Sequence, residues 1–415
     1  MNKQAVALAA DSAGTIGGKI FNTNNKLFML SKYHPVGIMV YGSAEIMGYP
    51  WETVIKMYRK FIRRKNFPTL QEQVGDFLEY LVASGLFDKK AEAQYIKDAF
   101  ELVANDILRQ LAQVFPDPKN ADEKLVALHF GQILAKSKQE SEHDLIECGI
   151  SEQEKDGILA NYKDLSDSLI FNNFKDYGVN QAIHDEIYSV MRNAIFRNPN
   201  KYIGSSGLVF SGFGEREFFP TTISFVLSSI IGAKIMKSKQ LFDSINTENI
   251  AIIRPFAQSD MVNSFVFGID PFLEQQMRIQ IIKMLESIPN IIAEISQEQI
   301  QLKDILFPIL ENVGKSFFEG MKNYMDYNSM YPIMQGVSSL SPDELAAMAE
   351  TLVNLTSFKR KISANQMETV GGPVDVAVIT KGDGFIWMRR KHYFQADKNH
   401  HFFRNYFNEE KTDEC

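Results

Sequence analysis

The order of strand and helix patterns along the chain predicts an α+β fold. Short apolar runs typical of strands occupy both ends of the sequence, and helical periodicity fills long stretches between them. Strand patterns also return once in the middle, from Gly207 onward. Because strands and helices come in separate blocks, the pattern favours α+β over a strictly alternating α/β architecture.

The first block contains four apolar runs separated by Gly, Asn and Ser-Lys. They lie near residues 5–10, 18–21, 26–31 and 36–43 and predict an antiparallel meander. The first run does not alternate with polar residues, so we expect a strand buried on both faces in the middle of a sheet. Asp11 follows it directly, and a carboxylate at the end of a buried strand needs a hydrogen-bonding or charged partner.

Helical spacing begins near Val54 and replaces strand patterns from residue 67 to about 198. Later strands are predicted at 207–214, 221–227, 230–236 and 250–253, and helices with breaks at Pro271, Pro289 and Pro308 extend to about residue 327. Ser341-Pro-Asp-Glu344 predicts a helix start that leads to about residue 361. A Gly371-Gly-Pro373 turn and two final strands follow.

Composition excludes several classes of protein. The chain has 415 residues, 45% of them hydrophobic, and a net charge of −7, which argues against general nucleic-acid binding. Two cysteines, Cys148 and Cys415, form no disulfide framework and suit a reducing compartment. No apolar run is long enough to span a membrane, and no signal-peptide pattern begins the sequence. We therefore expect a cytoplasmic protein that binds neither membrane nor nucleic acid.

Several segments resemble the proteasome β-subunit branch of the N-terminal-nucleophile (Ntn) hydrolases, as in the bacterial proteasome-like peptidases. They are Val6-Ala-Leu-Ala-Ala-Asp-Ser12, the Lys26-Leu27 pair, the strand ending at Gly42, and the two C-terminal strands in residues 370–380 and 384–387. The resemblance covers about half of the chain. It implies a four-layer αββα sandwich, in which two sheets lie face to face between helical layers.

The resemblance also implies a division of the chain. Residues 1–66 would form the first half of the sandwich and residues 67–199 a large helical insertion. Residues 200–395 would form the second half with extended helices, and residues 396–415 a polar tail. Because the family assembles into rings, a homo-oligomer is expected, and a peptide or protein could dock on the insertion.

In this family the amino group of the first residue activates that residue's own hydroxyl or thiol as the nucleophile. A lysine lowers the barrier electrostatically, a carboxylate holds the lysine, and a backbone N–H receives the oxyanion. The resemblance assigns the carboxylate to Asp11, the oxyanion N–H to Gly42, and a serine near the nucleophile to Ser259. Each has a structural alternative: a strand-end carboxylate at a turn, a turn glycine, and a helix N-cap.

Other expected groups have no match. Residues 1–4 (Met-Asn-Lys-Gln) contain no Thr, Ser or Cys, so the nucleophile and its strand are missing. The lysine position aligns with Thr23 or a neighbouring Asn, which leaves Lys19 and Lys26 offset. Met367 and Val370 replace an Asp and a Ser of the family. His129, His143 and His184 lack metal-ligand spacing, and neither a cofactor nor a metal is expected.

Three functions remain open at this point. The first is an amidohydrolase or peptidase, which would need an N-terminus other than Met1 that supplies the nucleophile. The second is a non-catalytic member of the family, a pseudoenzyme or scaffold. The third is a regulatory protein that uses the helical insertion to bind a partner. The chain beginning at Met1 is expected not to hydrolyse amide bonds.

Overall fold

The structure is a computed structural model that describes most of the chain. The described residues are 1–16, 19–117, 122–142, 146, 149–296, 301–363, 371–392, 394–401 and 404. The chain divides into two compact units. Met1–Leu27 and Ile245–Cys415 form one unit, which we call the terminal unit, and Phe28–Ser244 forms the other, the central unit.

The strands are β1 (Ala5–Ala10), β2 (Gly14–Ile16), β3 (Lys19–Phe21), β4 (Leu27–Ser31), β5 (His34–Gly42), β6 (Glu45–Ile46), β7 (Tyr49–Pro50), β8 (Ser206–Gly212), β9 (Thr221–Ile231), β10 (Lys234–Lys237), β11 (Leu241–Ser244), β12 (Asp375–Thr380) and β13 (Gly384–Arg389). The helices are α1 (Trp51–Ile62), α2 (Leu70–Ala83), α3 (Lys89–Val114), α4 (Glu123–Ser141), α5 (Glu152–Ala160), α6 (Lys163–Phe174), α7 (Gln181–Phe196), α8 (Asp260–Phe267), α9 (Pro271–Ser296), α10 (Gln301–Met325), α11 (Tyr331–Ser338) and α12 (Pro342–Ile362). These elements confirm the α+β class with antiparallel sheets.

The terminal unit contains a sheet in the order β1-β12-β13. Strand β1 lies antiparallel to β12, with Ala5 opposite Thr380 and Ala10 opposite Asp375. Its core includes Leu345 of α12, packed with side chains of β1 and β12. Within the described residues β1 pairs only with β12, so the prediction of a central strand is wrong, although three of the six residues of β1 are buried.

The predicted four-strand meander is also wrong. β2 and β3 form a separate hairpin, and β4 and β5 belong to a sheet of the central unit in the order β10-β9-β8-β5-β4, with β11 also paired to β9. The apolar runs did mark strands, but β1 takes its partner from the far end of the chain. Such long-range pairing leaves no signature in the spacing of neighbouring runs.

The central unit has two cores. Helices α1 and α2 cover its sheet, where Trp51, Phe77 and Phe210 are fully buried. Helices α3, α4, α6 and α7 surround a second core that includes Phe130 and Phe174. The predicted helical character of residues 67–198 is confirmed for their described part. Five of its helix starts are capped by side-chain oxygens, those of Thr69, Asp88, Asp122, Ser151 and Asn180.

Other local predictions had mixed outcomes. Helix α12 begins as predicted, with Pro342 at its first position and the Glu344 carboxylate accepting the Ser341 N–H at 2.9 Å. Residues 250–253 make only an isolated bridge between Ala251 and Asn2, so the predicted short strand is wrong. The breaks predicted at two prolines are also wrong, because α9 and α10 continue through Pro289 and Pro308.

Candidate functional site

The candidate site is centred on Asp11, the residue that follows β1. Its Oδ1 lies 2.7 Å from Lys26 Nζ, which donates a hydrogen bond and forms an ion pair with it. Its Oδ2 accepts the backbone N–H groups of Ala13 and Gly371, each at 3.0 Å. The side chain of Asp11 is 13% exposed and that of Lys26 is 23% exposed. The carboxylate therefore has the partners that its position requires.

Three segments distant in sequence meet at this carboxylate. Ser12, fully buried, donates its backbone N–H to Gly371 O at 3.2 Å and its hydroxyl to Pro373 O at 2.5 Å. The Ser12 carbonyl in turn accepts the N–H of Asn24 at 3.2 Å. The turn after β1 is thus joined both to the segment before β4 and to the turn before β12.

Two glycines allow this close approach. Gly372 has a φ of +74°, and a Cβ there would lie 2.8 Å from Asn22 Cβ. A Cβ on Gly14 would overlap the side-chain amide of Asn24. In the predicted Gly-Gly turn, glycine is therefore required at residue 372 by packing against Asn22 as well as by its backbone conformation, and Gly14 is required by packing against Asn24.

Lys26 is a partner of Asp11 that the residue pattern did not predict, and its offset from the family's lysine position stays a prediction. The two residues meet because the β2–β3 hairpin, with Thr15 opposite Ile20, reverses the chain between them. That hairpin returns residues 24–26 to the side of residues 11–12. A signal was present in the sequence: Lys26 directly precedes an apolar strand, as Asp11 directly follows one.

The amino terminus is held at the other end of β1. The Met1 amino group donates to Ile252 O at 2.8 Å. Asn2 is fully buried, its amide donates to Val337 O and Leu340 O, and its Oδ1 accepts two backbone N–H groups. Six residues of extended chain separate Ala5 from Asp11, about 20 Å at the usual rise of a strand. The Met1 amine is therefore remote from the Asp11–Lys26 pair.

Gly42 ends β5 in the central unit. It has a φ of +77°, and a Cβ there would lie 2.5 Å from Ser205 O. Glycine is required here by both the backbone conformation and the close approach of residue 205.

Ser259 precedes α8 in the terminal unit. Its carbonyl accepts the Asn263 N–H at 2.8 Å, but its side chain makes no capping bond. The next residue, Asp260, forms an ion pair with Lys359 at 3.1 Å. Met367 and Val370, as well as His143 and both cysteines, lie outside the described residues.

An open pocket of about 420 Å³ lies beside the Gly371-Gly372 turn. It is lined in part by residues 372–374 and by Arg389, Arg390 and Lys391. Arg389 pairs with Glu350, and Lys391 pairs with the buried Asp375 at 2.6 Å.

Among the described residues, no cluster of His, Cys, Asp or Glu has the makeup of a metal site. Across those same residues, no helix is both long and apolar enough to cross a membrane.

Comparisons with protein-family models, with curated proteins and with solved structures found no match to this chain. The structure defines an α+β protein with antiparallel sheets, in which the Lys26 ammonium group forms an ion pair with the Asp11 carboxylate. Such an ammonium group stabilises negative charge that develops on a neighbouring oxygen.

Proposed function

We propose that this chain is a proteasome-like Ntn-fold protein and that Asp11 and Lys26 are the carboxylate–lysine pair of an amide-hydrolysing centre. The observation that carries the proposal is the 2.7 Å contact between Lys26 Nζ and Asp11 Oδ1. Asp11 follows a strand that resembles the second strand of the family, and Lys26 directly precedes β4. The αββα arrangement of layers is part of the same proposal.

In the proposed reaction the amino group of the first residue takes the proton of that residue's hydroxyl as its oxygen attacks the carbonyl carbon of an amide, and negative charge develops on the carbonyl oxygen. Collapse of this intermediate breaks the C–N bond, the amine leaves with the transferred proton, and water then hydrolyses the ester that remains. Lys26 lowers the energy of charge that forms beside it, while Asp11 holds the ammonium in one position. The resemblance assigns the oxyanion N–H to Gly42 and a supporting hydroxyl to Ser259. Both assignments remain predictions.

We infer where a nucleophile could lie from the register at the start of β1. The Asn2 N–H donates to Ala5 O at 3.0 Å, so the chain turns between these two residues. Met1 itself exchanges hydrogen bonds with Ile252. If residues placed before Met1 continued the antiparallel pairing of Asn2 with Ala5 along β1, about the fifth of them would lie opposite Asp11.

The test compares three proteins. The first is the chain beginning at Met1, and the second carries a five-residue extension that begins with Thr and alternates apolar residues. The third is the extended chain with Lys26→Met. Each is incubated with fluorogenic peptides and with an epoxyketone that traps an N-terminal threonine, followed by intact-mass measurement.

We expect an adduct and turnover only in the extended chain with Lys26 present, because only there do nucleophile, amine and lysine coincide. Loss of at least a hundredfold in rate is expected for the Lys26→Met form, in line with removal of an electrostatic catalytic group. A folded extended chain without adduct would refute the assignment, as would an adduct on the chain that begins at Met1.

The hydrogen bonds around Asp11 also support a second function, that of a non-catalytic scaffold or regulatory protein. In this case the Asp11–Lys26 pair only joins the three segments around the turn. All three proteins of the test above would then be inactive, and Lys26→Met would change stability alone.

A further inference from the structure

Helices α9 and α10 of the terminal unit pack against each other as an antiparallel pair. Leu285 lies next to Gly314, where a Cβ would be 3.0 Å from Leu285 Cδ1, and the Arg278 guanidinium lies 4.2 Å from the centre of the Phe318 ring. The residue numbers of the contacts increase along α10 as they decrease along α9, so the two helices run antiparallel. We call this pair the α9–α10 hairpin.

Large apolar side chains remain exposed on both helices of the hairpin. These twelve side chains are between 38% and 69% exposed: Phe272, Leu273, Met277, Ile282, Met284, Ile291, Ile305, Phe307, Ile309, Val313, Phe317 and Tyr324. Most follow steps of four or seven residues, as at Met277, Met284 and Ile291. This spacing is typical of a helix that packs against another helix in a coiled-coil-like bundle.

The exposed area is sufficient for a stable interface. At roughly 180 Å² for a fully exposed side chain of this size, the twelve residues present about 1,200 Å² of apolar surface. A stable protein interface buries about 800 Å² on each partner. Soluble monomers rarely expose this much apolar surface on one pair of helices, which indicates a surface that is covered in the native assembly.

The charges beside this surface favour a protein partner over an anionic membrane. Helix α9 carries two basic and three acidic residues, and α10 carries three of each. Lys315 pairs with Glu311 at 2.7 Å, and Arg278 lies near Glu274 at 3.8 Å. With the charges balanced and partly paired within each helix, attraction to anionic lipid is not expected.

We propose that the α9–α10 hairpin packs against the same hairpin of a second copy of the chain to form a four-helix bundle. A surface of balanced charge with apolar stripes on two antiparallel helices is self-complementary under two-fold symmetry. The proposal is independent of the Asp11–Lys26 pair. It also gives the predicted self-association a definite interface.

Sedimentation velocity of the full chain between 1 and 100 μM measures the association. We expect a dimer in wild type and a dissociation constant at least a hundredfold higher when Met284→Glu and Val313→Glu are combined, because charges would enter a desolvated interface. Met284→Leu should keep the dimer. Phe171→Glu, at a residue 67% exposed outside the hairpin, is the matched control and should also keep it.

Circular dichroism separates lost association from lost folding. Should the double glutamate variant lose helical signal, the milder Met284→Ala with Val313→Ala is measured instead. A wild-type chain that stays monomeric at 100 μM would overturn the proposal, and so would a folded double variant with an unchanged dissociation constant. Flotation of a monomeric chain with phosphatidylcholine vesicles would assign the surface to lipid and overturn the proposal as well.

Discussion

Removing the Asp11 carboxylate should destabilise the terminal unit more than removing any surface carboxylate. Asp11→Ala leaves Lys26 without its partner and two backbone N–H groups, those of Ala13 and Gly371, without an acceptor. Unsatisfied buried donors cost about 1–3 kcal/mol each, but partial exposure lets water replace some of the lost bonds. We therefore expect a loss of about 3 kcal/mol. Lys26→Met should cost about half as much, because Asp11 keeps both N–H donors.

The two tryptophans make the measurement specific. Trp387 lies on β13 in the terminal unit and Trp51 lies on α1 in the central unit, so fluorescence in a Trp51→Phe background reports on the terminal unit. A loss of 3 kcal/mol moves the urea midpoint by about 1 M at the slopes usual for domains of this size. Glu311→Ala, in α10 of the same unit, is the matched control, since its pair with Lys315 is exposed and should contribute less than 0.5 kcal/mol.

An Asp11→Ala variant whose midpoint lies within error of that of the Glu311→Ala variant would refute the expected loss. That result would mean that, in the variant, water replaces the carboxylate as acceptor for all three donors, the Lys26 ammonium group and the N–H groups of Ala13 and Gly371. An equal loss for Asp11→Ala and Lys26→Met would show instead that the ion pair carries the whole effect and that the two N–H bonds carry none.

Two further perturbations test other parts of the chain. Gly42→Ala should lower the free energy of unfolding in urea by about 3 kcal/mol, because the new Cβ would meet the carbonyl oxygen of Ser205. Gly48→Ala should lower it by only about 1 kcal/mol, because Gly48 has a similar φ of +81° but open space around it. Equal losses for the two variants would disprove the steric argument. Hydrogen bonds from Lys155 and then Arg192 lower the pKa of Glu152 from its ordinary 4.5 to about 2. The stabilising effect of the Glu152 carboxylate should be complete above about pH 4.5 and lost as the pH falls toward 2. In an acid titration followed by circular dichroism, Glu152→Gln should therefore show a weaker dependence of stability on pH in this range. An unchanged dependence would contradict the prediction.

The amino-acid sequence by itself determined where most helices and strands lie. Apolar runs located β1 and the C-terminal strands, and helical spacing located the block after residue 67, because burial of one face imposes a local period on the side chains. The Ser341-Pro-Asp-Glu344 start was equally readable, since helix capping involves only a few neighbouring residues. The need of Asp11 for a partner also followed from its position after a buried strand.

Only the tertiary structure decided which segments pair and which charges meet. β1 joins β12 across most of the chain, and Gly371 reaches Asp11 over a separation of 360 residues. Lys26 reaches Asp11 because a short hairpin reverses the chain between them. The exposed stripes of α9 and α10 likewise have the period of buried faces. A sequence pattern specifies that a face is apolar, whereas its exposure depends on which elements the folded chain brings against it.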